Sequence, residues 1–182
     1  MELVSKRLQT EIGELLIAAG PQGICRISFP VDLTGKWFPW FDRYFGCLPK
    51  PGNHPLIQEA EYQLHEYLAS NRARFELSID LKGTDFQIRV WQRFLAIPFG
   101  TTVSYGEIAR EMGIRNGSRA IGRASASNPI PIIVPCHRIV GSSGGLVGFG
   151  GGLELKERLL ELEGNRMRFP EGITPTVPRH QN

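Results

Sequence analysis

Apolar positions recur with helical spacing in the second half of the chain and in short strand-like runs in the first. Glu14–Ala19, Gly23–Phe29 and Phe75–Leu81 read as strands, separated by Gly and Pro punctuation. A helix is predicted over Leu56–Ala69, where Leu56, Ala60, Leu64, Tyr67 and Leu68 follow helical spacing. Thr84-Asp85-Phe86-Gln87 has the form of a capping box. The helix it opens carries Phe86, Val90 and Phe94 on one stripe with Trp91 and Leu95 beside it, and Pro98 and Gly100 close it. A second capping box, Ser104-Tyr105-Gly106-Glu107, starts a helix through Ile108, Ala109 and Met112 that Gly113 ends. A third helix, Arg119–Ser127, is capped by Asn116 or Ser118 and stopped before Pro129. Two helices joined by a short Gly-containing turn form a helix-turn-helix. After a Gly- and Ser-rich stretch, Gly141–Gly152, a last helix over Leu153–Glu163 places Leu155, Leu159 and Leu162 on one side, with Gly164 as its terminator.

This order of elements predicts an α/β (α+β) protein: an N-terminal α/β scaffold over residues 1–80, a mostly helical C-terminal unit over 84–168 and a tail over 169–182. A chain of 182 residues is long enough for such a core. No apolar run approaches membrane-spanning length, and the N-terminal Met1–Arg7 lacks an apolar signal region, so a cytoplasmic location is expected. Three cysteines, Cys25, Cys47 and Cys136, do not make a disulfide framework, which fits a reducing compartment. Cys25, Cys47, His54 and His65 lack metal-ligand spacing and are expected to be packing residues, with no metal site. The net charge of +3 is modest, but its distribution is not: Thr101–Val140 holds five arginines against two glutamates and accounts for all of it. Arginine excess on a helical element is a footprint of phosphate contact, although a solvated helix face looks the same.

The chemistry concentrates in Pro135-Cys136-His137-Arg138, delivered by the branched run Ile132-Ile133-Val134. A cysteine reacts as thiolate, and cationic neighbours lower its pKa from about 8.5; the alternative is a buried small hydrophobe. Read as extended chain, Cys136 and His137 point to opposite sides, so any proton transfer between them needs a bridging water. Glu163, at a helix C-terminus where the macrodipole disfavours a carboxylate, is either solvated or held by a cation or a histidine such as His137. The third helix combines small residues (Ala120, Gly122, Ala124, Ser125, Ala126) with Arg119 and Arg123 one turn apart. Small residues permit close approach to another surface, which favours nucleic acid over tight internal packing when arginines accompany them.

The stretch Asn128-Pro129-Ile130-Pro131-Ile132-Ile133-Val134-Pro135-Cys136-His137-Arg138-Ile139-Val140 resembles the active-site signature of the O6-alkylguanine-DNA alkyltransferases. The resemblance extends from about Phe86 to Gly164 through Val103-Ser104-Tyr105, Arg119-Ala120-Ile121-Gly122 and Lys156-Glu157-Arg158-Leu159-Leu160. It implies a ribonuclease-H-like N-terminal domain beside the helix-turn-helix domain, and a protein that moves an alkyl group from O6 of guanine, and by extension O4 of thymine, in double-stranded DNA onto its own cysteine. By that resemblance Cys136 is the acceptor, His137 deprotonates it through a water, Glu163 orients His137, and Tyr105 gives a proton or hydrogen bond to the leaving guanine. Arg119 fills the stack vacated by the flipped nucleotide. Ser118, Arg119, Arg123, Ala126 and Asn128 form the DNA-binding set, facing the minor groove. Tyr105, Asn128, Pro131, Cys136, Ile139, Phe149 and Gly150 form the pocket. No cofactor is implied, and each molecule acts once, as a monomer.

Two positions depart from the family pattern: Gly150 stands where some members have Ser, and Phe149 where Tyr is common. Both changes are expected to widen the pocket. The alternatives are a helix-turn-helix regulator with a structural cysteine, a lesion-binding protein that does not repair, and a cysteine hydrolase using Cys136 and His137.

Overall fold

The computed structural model describes residues 2–29 and 37–164. The expected tail, 169–182, and the last four residues of the expected C-terminal unit lie outside the described residues. A meander of three antiparallel strands opens the chain: β1 (Val4–Thr10), β2 (Gly13–Gly20) and β3 (Gly23–Ser28). A short β4 (Lys50–Pro51) adds to β1 in parallel, giving the order β3-β2-β1-β4. Gly13, at φ 105°, sits in the tight β1–β2 turn, a backbone region that disfavours L side chains. On one face of the sheet, Leu8, Leu15, Ile17 and Ile24 are fully buried in one cluster with Ile57, Ala60, Leu64 and Tyr67 of α2 (Pro55–Leu68). On the other face, Ala18 and Cys25 meet Trp37 and Phe41 of α1 (Trp37–Phe45).

Sequence periodicity places β2, β3 and α2 within a residue or two. It does not predict β1, β4 or α1: Lys6, Arg7 and Gln9 of β1 interrupt its apolar positions, and α1 is an aromatic cluster with Pro39 in its first turn. Phe75–Leu81 is not a strand. It runs beside β3 and meets it at one bridge, where Ile24 N–H donates to Ser78 O (2.8 Å) and Asp80 N–H to Ile24 O (2.8 Å). Half-buried Phe75, Leu77, Ile79 and Leu81 give the alternation of a strand, but among the described residues the segment has no further strand to pair with.

In the second half, α3 (Asp85–Leu95) and α4 (Tyr105–Glu111) begin with the reciprocal capping boxes expected, Thr84 with Gln87 and Ser104 with Glu107. Val90, Trp91 and Phe94 form the buried stripe of α3, whereas Leu95 is exposed. Gly113, at φ 70°, ends α4 in a Schellman motif: its N–H donates to Arg110 O and the Ile114 N–H to Ala109 O. After this turn comes α5 (Ser118–Ala126). Neither Asn116 nor Ser118 caps it; Gly117 occupies the cap and makes no side-chain bond, and Asn116 is spent on the turn at φ 54°. The Trp91 indole N–H donates to Ala124 O (2.9 Å), tying α3 to α5. Val103–Ser104 (β5) pairs in parallel with Ile139–Val140 (β6), just after the cysteine, and α6 (Leu153–Leu162) packs behind. One apolar cluster runs without a break from Val4 and Leu8 through Tyr67 and Phe94 to Ile139 and Leu159.

Gly23 is where the sheet accepts the Phe75–Leu81 segment. A Cβ there would lie 2.6 Å from Ser78 O and 2.8 Å from the Ile79 carbonyl carbon, both backbone. Gly23→Ala is therefore expected to destabilise the fold by about 1–3 kcal/mol, read as a lower denaturation midpoint at unchanged slope.

Candidate active site

Asn128 follows the end of α5 and organises the approach to the cysteine. Its side-chain oxygen accepts from Ile130 N–H (3.0 Å), and its amide nitrogen donates to Val134 O (2.8 Å) and to Cys136 Sγ (3.1 Å). Between these anchors Val134 N–H closes onto Ile130 O (2.9 Å), and Ile132 adopts φ 75°. A β-branched residue in the left-handed region costs on the order of 1–3 kcal/mol and persists only where its surroundings fix it. Burial of Ile132 and the Asn128 bonds do so here.

Cys136–Arg138 is a single 3-10 turn and not extended chain, which corrects the expectation of alternating side chains. The turn sends Cys136 forward and His137 and Arg138 backward onto one carboxylate. Glu163, the residue closing α6, is buried and accepts from the Tyr67 hydroxyl (2.6 Å), His137 Nε2 (2.9 Å), Arg138 Nε and Nη2 (2.9 and 2.8 Å) and the Gly100 N–H (3.1 Å). Burial alone would raise this carboxyl, but the hydrogen bonds from His137 and Arg138, with the Tyr67 bond, outweigh it and hold it at about 2. An ionised carboxylate only accepts, so the bond to His137 fixes the proton on Nε2. His137 is fully buried, and burial pushes it below the ordinary imidazole value in spite of the carboxylate. It is a neutral ring whose Nδ1 is a free acceptor; among the described residues this nitrogen is buried with no hydrogen-bond partner.

The expectation that cationic neighbours depress the thiol is overturned. Arg138 is committed to Glu163 and, through Nη1, to Ile97 O (2.6 Å), and His137 is uncharged. Burial pushes the Cys136 thiol above its ordinary value, against the opposing effects of the Asn128 bond and the Lys156 charge. Lys156, on α6, is fully buried and donates to Ile139 O (2.5 Å) and Val147 O (2.7 Å), spanning β6 and the glycine-rich loop. Its burial brings it down to about 8.

In front of the sulfur lies a cavity of about 190 Å³. Tyr105, Gly122, Ser125 and Ala126 form one wall, Gly148, Phe149 and Gly150 the other, and Cys136 the floor. Burial raises the Tyr105 hydroxyl, which donates to Val147 O at 3.4 Å. Of the pocket residues expected from sequence, Tyr105, Cys136, Phe149 and Gly150 meet here. Asn128 sits behind the sulfur; Pro131 belongs to the strained turn and bridges Val134; Ile139 is buried in β6 and presents its carbonyl to Lys156. Ser118, Arg119, Arg123 and Ala126 are exposed along α5. Tyr67, Gly100, Ser125 and Lys156 are site residues that sequence reasoning misses. Lys156 alone leaves a signal, a cation on the stripe between Leu153 and Leu159–Leu160 that proves to be the buried face of α6.

A buried thiol behind a helix-turn-helix, next in sequence to a buried histidine–carboxylate pair, defines the class as a DNA-binding protein built around a cysteine. Residues 85–165 match the family described as "6-O-methylguanine DNA methyltransferase, DNA binding domain". The chain is 51% identical over 158 residues to the methylated-DNA–protein-cysteine methyltransferase of Mycobacterium leprae, covering 87% of this chain and 90% of that one. It is 38% identical over 156 residues to the constitutive enzyme of that name from Bacillus subtilis, with 85% and 92% covered. The crystal structure of Mycobacterium tuberculosis OGT in complex with DNA superposes with a TM-score of 0.76 at 39% identity, covering 90% of this chain and 94% of that one. The chain belongs to the methylated-DNA–protein-cysteine methyltransferase family.

The depressed pKa of Glu163 links stability to pH. Its contribution is fully present above the ordinary carboxyl value of 4.5 and is withdrawn as pH falls toward about 2. His137, also depressed, acts in the same direction below its ordinary 6.5. Glu163→Gln leaves Arg138 buried without its counter-charge, so it is expected to cost about 3–5 kcal/mol at neutral pH. It should also flatten the acid limb of a melting-temperature profile relative to the parent protein.

Proposed function

We propose that this protein repairs double-stranded DNA by moving the alkyl group of O6-alkylguanine irreversibly onto Cys136. The observation that carries the reading is the small cavity in which the Cys136 thiol faces the Tyr105 side chain, with the His137–Glu163 pair directly behind. A base inside a duplex cannot reach a buried sulfur, so the damaged nucleotide must flip out, at a cost of a few kcal/mol. Arg119 fills the gap in the stack, and Ser118, Arg123 and Ala126 follow the minor groove. The proton on sulfur passes through a water to His137 Nδ1, and Glu163 stabilises the imidazolium. The thiolate attacks the alkyl carbon; the S–C bond forms, the C–O6 bond breaks, and its electron pair remains with guanine. Tyr105 supplies a proton or hydrogen bond to the ring, so that guanine departs neutral, and the proton taken from sulfur restores the balance. The thioether has no hydrolytic route back to thiol, so each molecule acts once and needs no cofactor.

The same reading divides the chain into a scaffold over 1–80, with a ribonuclease-H-like sheet, and a catalytic unit over 84–168. The sheet β3-β2-β1-β4, drawn wholly from the first 51 residues, supports that division. A monomer in the cytoplasm is the form proposed. Among the described residues no helix is long and apolar enough to cross a membrane. Phe149 and Gly150, smaller than the Tyr and Ser of other members, favour acceptance of larger O6-alkyl groups or of O4-methylthymine.

Cys136→Ser is expected to retain binding to a duplex bearing O6-methylguanine and to gain no methyl mass on incubation with it. Mass spectrometry of both proteins checks this, and a methyl group recovered anywhere on the variant chain would refute the assigned acceptor. Arg119→Ala should slow repair in duplex by tenfold or more (~1.4 kcal/mol) while leaving reaction with a free O6-alkylguanine base nearly unchanged. Equal losses on both substrates would remove the flipping role.

A further inference from the structure

The exposed face of α5 does not end at the helix. Beside it lies a cleft of about 570 Å³ bordered by Thr84, Gln87, Ala120, Arg123 and Ser127. Gln87 and Ser127 are also walls of a second cleft, of about 350 Å³, whose far side is built by Trp40, Arg43 and Tyr44 of α1, and by Lys82. The two clefts are therefore one groove, running from the recognition helix onto the element that the proposed mechanism leaves unused. Its cations are Arg123, Arg43, which lies over the Tyr44 ring, and Lys82. Arg43 and Arg123 are exposed and form no ion pair among the described residues, whereas Lys6, Arg7, Lys50, Arg72 and Arg93 are all paired. Lys82 keeps a partial exposure of 29% beside its partner Asp80. The aromatic side is held in place: Trp40 packs edge-on against Phe41 and tilts against Tyr44, so the groove exists before anything enters it. Cations interleaved with aromatic rings in a preformed groove are the pattern of a surface that tracks a nucleic acid backbone.

We propose that the DNA-binding surface continues from α5 across Gln87 and Ser127 onto α1, where Arg43 and Lys82 hold the phosphate backbone of the duplex flanking the lesion. The N-terminal half then acts as a second clamp on the same DNA, lengthening the bound site, in addition to supporting the active site through Tyr67. This rests on the DNA repair function proposed above. Phosphates are the fitting occupant because the groove offers the exposed Arg43 and the partly exposed Lys82 and no deep pocket for a base edge, and contacts of this kind position the duplex without reading its sequence.

The test uses the full chain carrying Cys136→Ser, so that binding is measured without transfer, with and without Arg43→Ala and Lys82→Ala together. Affinity for a lesion-bearing duplex is measured against salt, on a long duplex and on one trimmed to the base pairs around the lesion. Arg43 is exposed, whereas Lys82 is half-buried beside Asp80, so Arg43→Ala alone, expected to lose one phosphate contact at an unchanged melting temperature, separates the effect from one on folding. Losing two phosphate contacts should weaken binding to the long duplex about three- to tenfold and make the log Kd against log salt slope shallower by roughly 1–2. On the trimmed duplex the variants should be equal. Without Cys136→Ser, alkyl transfer from a free base should be unaffected. Equal affinity and slope on the long duplex overturn the clamp while leaving the repair function standing. Weaker binding at an unchanged slope also overturns it, because neutralised phosphate must appear in the salt dependence. A parent protein that binds neither duplex overturns the functional reading itself.

Discussion

One buried carboxylate organises the molecule. Glu163 lies at the C-terminal end of α6, where the helix dipole and the loss of water both act against its charge. It is ionised nevertheless because separate parts of the chain converge on it: Tyr67 from α2, the Gly100 N–H, and His137 and Arg138 from the turn after the cysteine. A half-satisfied network of this kind would be worse than an apolar core. The satisfied one fixes where α2 sits against α6, and so links the sheet to the cysteine turn through a polar contact inside a single continuous apolar cluster.

The state of the cysteine follows from that network. Because Glu163 takes the proton-bearing side of His137 and the guanidinium of Arg138, neither the His137 N–H nor the Arg138 charge is free to act on the sulfur. The thiol rests protonated, its pKa raised by burial, with the Asn128 amide donating to it. Such a thiol is a poor target for solvent oxidants and electrophiles, since reactivity follows thiolate character and exposure. On the proposed chemistry the free Nδ1 of His137 draws the proton only when an electrophile occupies the cavity. For a protein that acts once, a nucleophile quiet at rest is an advantage over one that is permanently ionised.

How much of this is legible in the sequence divides along physical lines. Signals confined to a few neighbouring residues transfer well: both capping boxes, the Gly113 terminator, the helix-turn-helix and the pairing of Glu163 with His137. Failures come where tertiary partners decide. Phe75–Leu81 alternates like a strand, yet behaves as one only at the single bridge that β3 offers. Gly117 becomes the α5 cap because Asn116 is needed for the turn geometry. Cys136-His137-Arg138 reads as extended because β-branched residues precede it, and neither its 3-10 turn nor the positive φ of Ile132 in the turn before it leaves a mark in the pattern. Tyr67 looks like one more core aromatic on α2; its hydroxyl has a purpose only once α6 is in place.

Lys156 shows why position on a stripe outweighs residue type. A lysine on the buried face of α6 would be intolerable without partners, and three backbone carbonyls of β6 and the glycine-rich loop supply them. Those carbonyls belong to a loop rich in glycine (Gly144, Gly145, Gly148 and Gly150–Gly152), whose side-chain anchors are the buried Leu146 and the half-buried Phe149, the latter packed against Phe29. The ammonium adds to these anchors, holding Val147 and Gly148 close to Ile139. Gly148 is itself part of the cavity wall that faces Tyr105. A loop of small residues is in this way held as a cavity wall by one buried charge and its backbone acceptors together with two apolar anchors, Leu146 and Phe149.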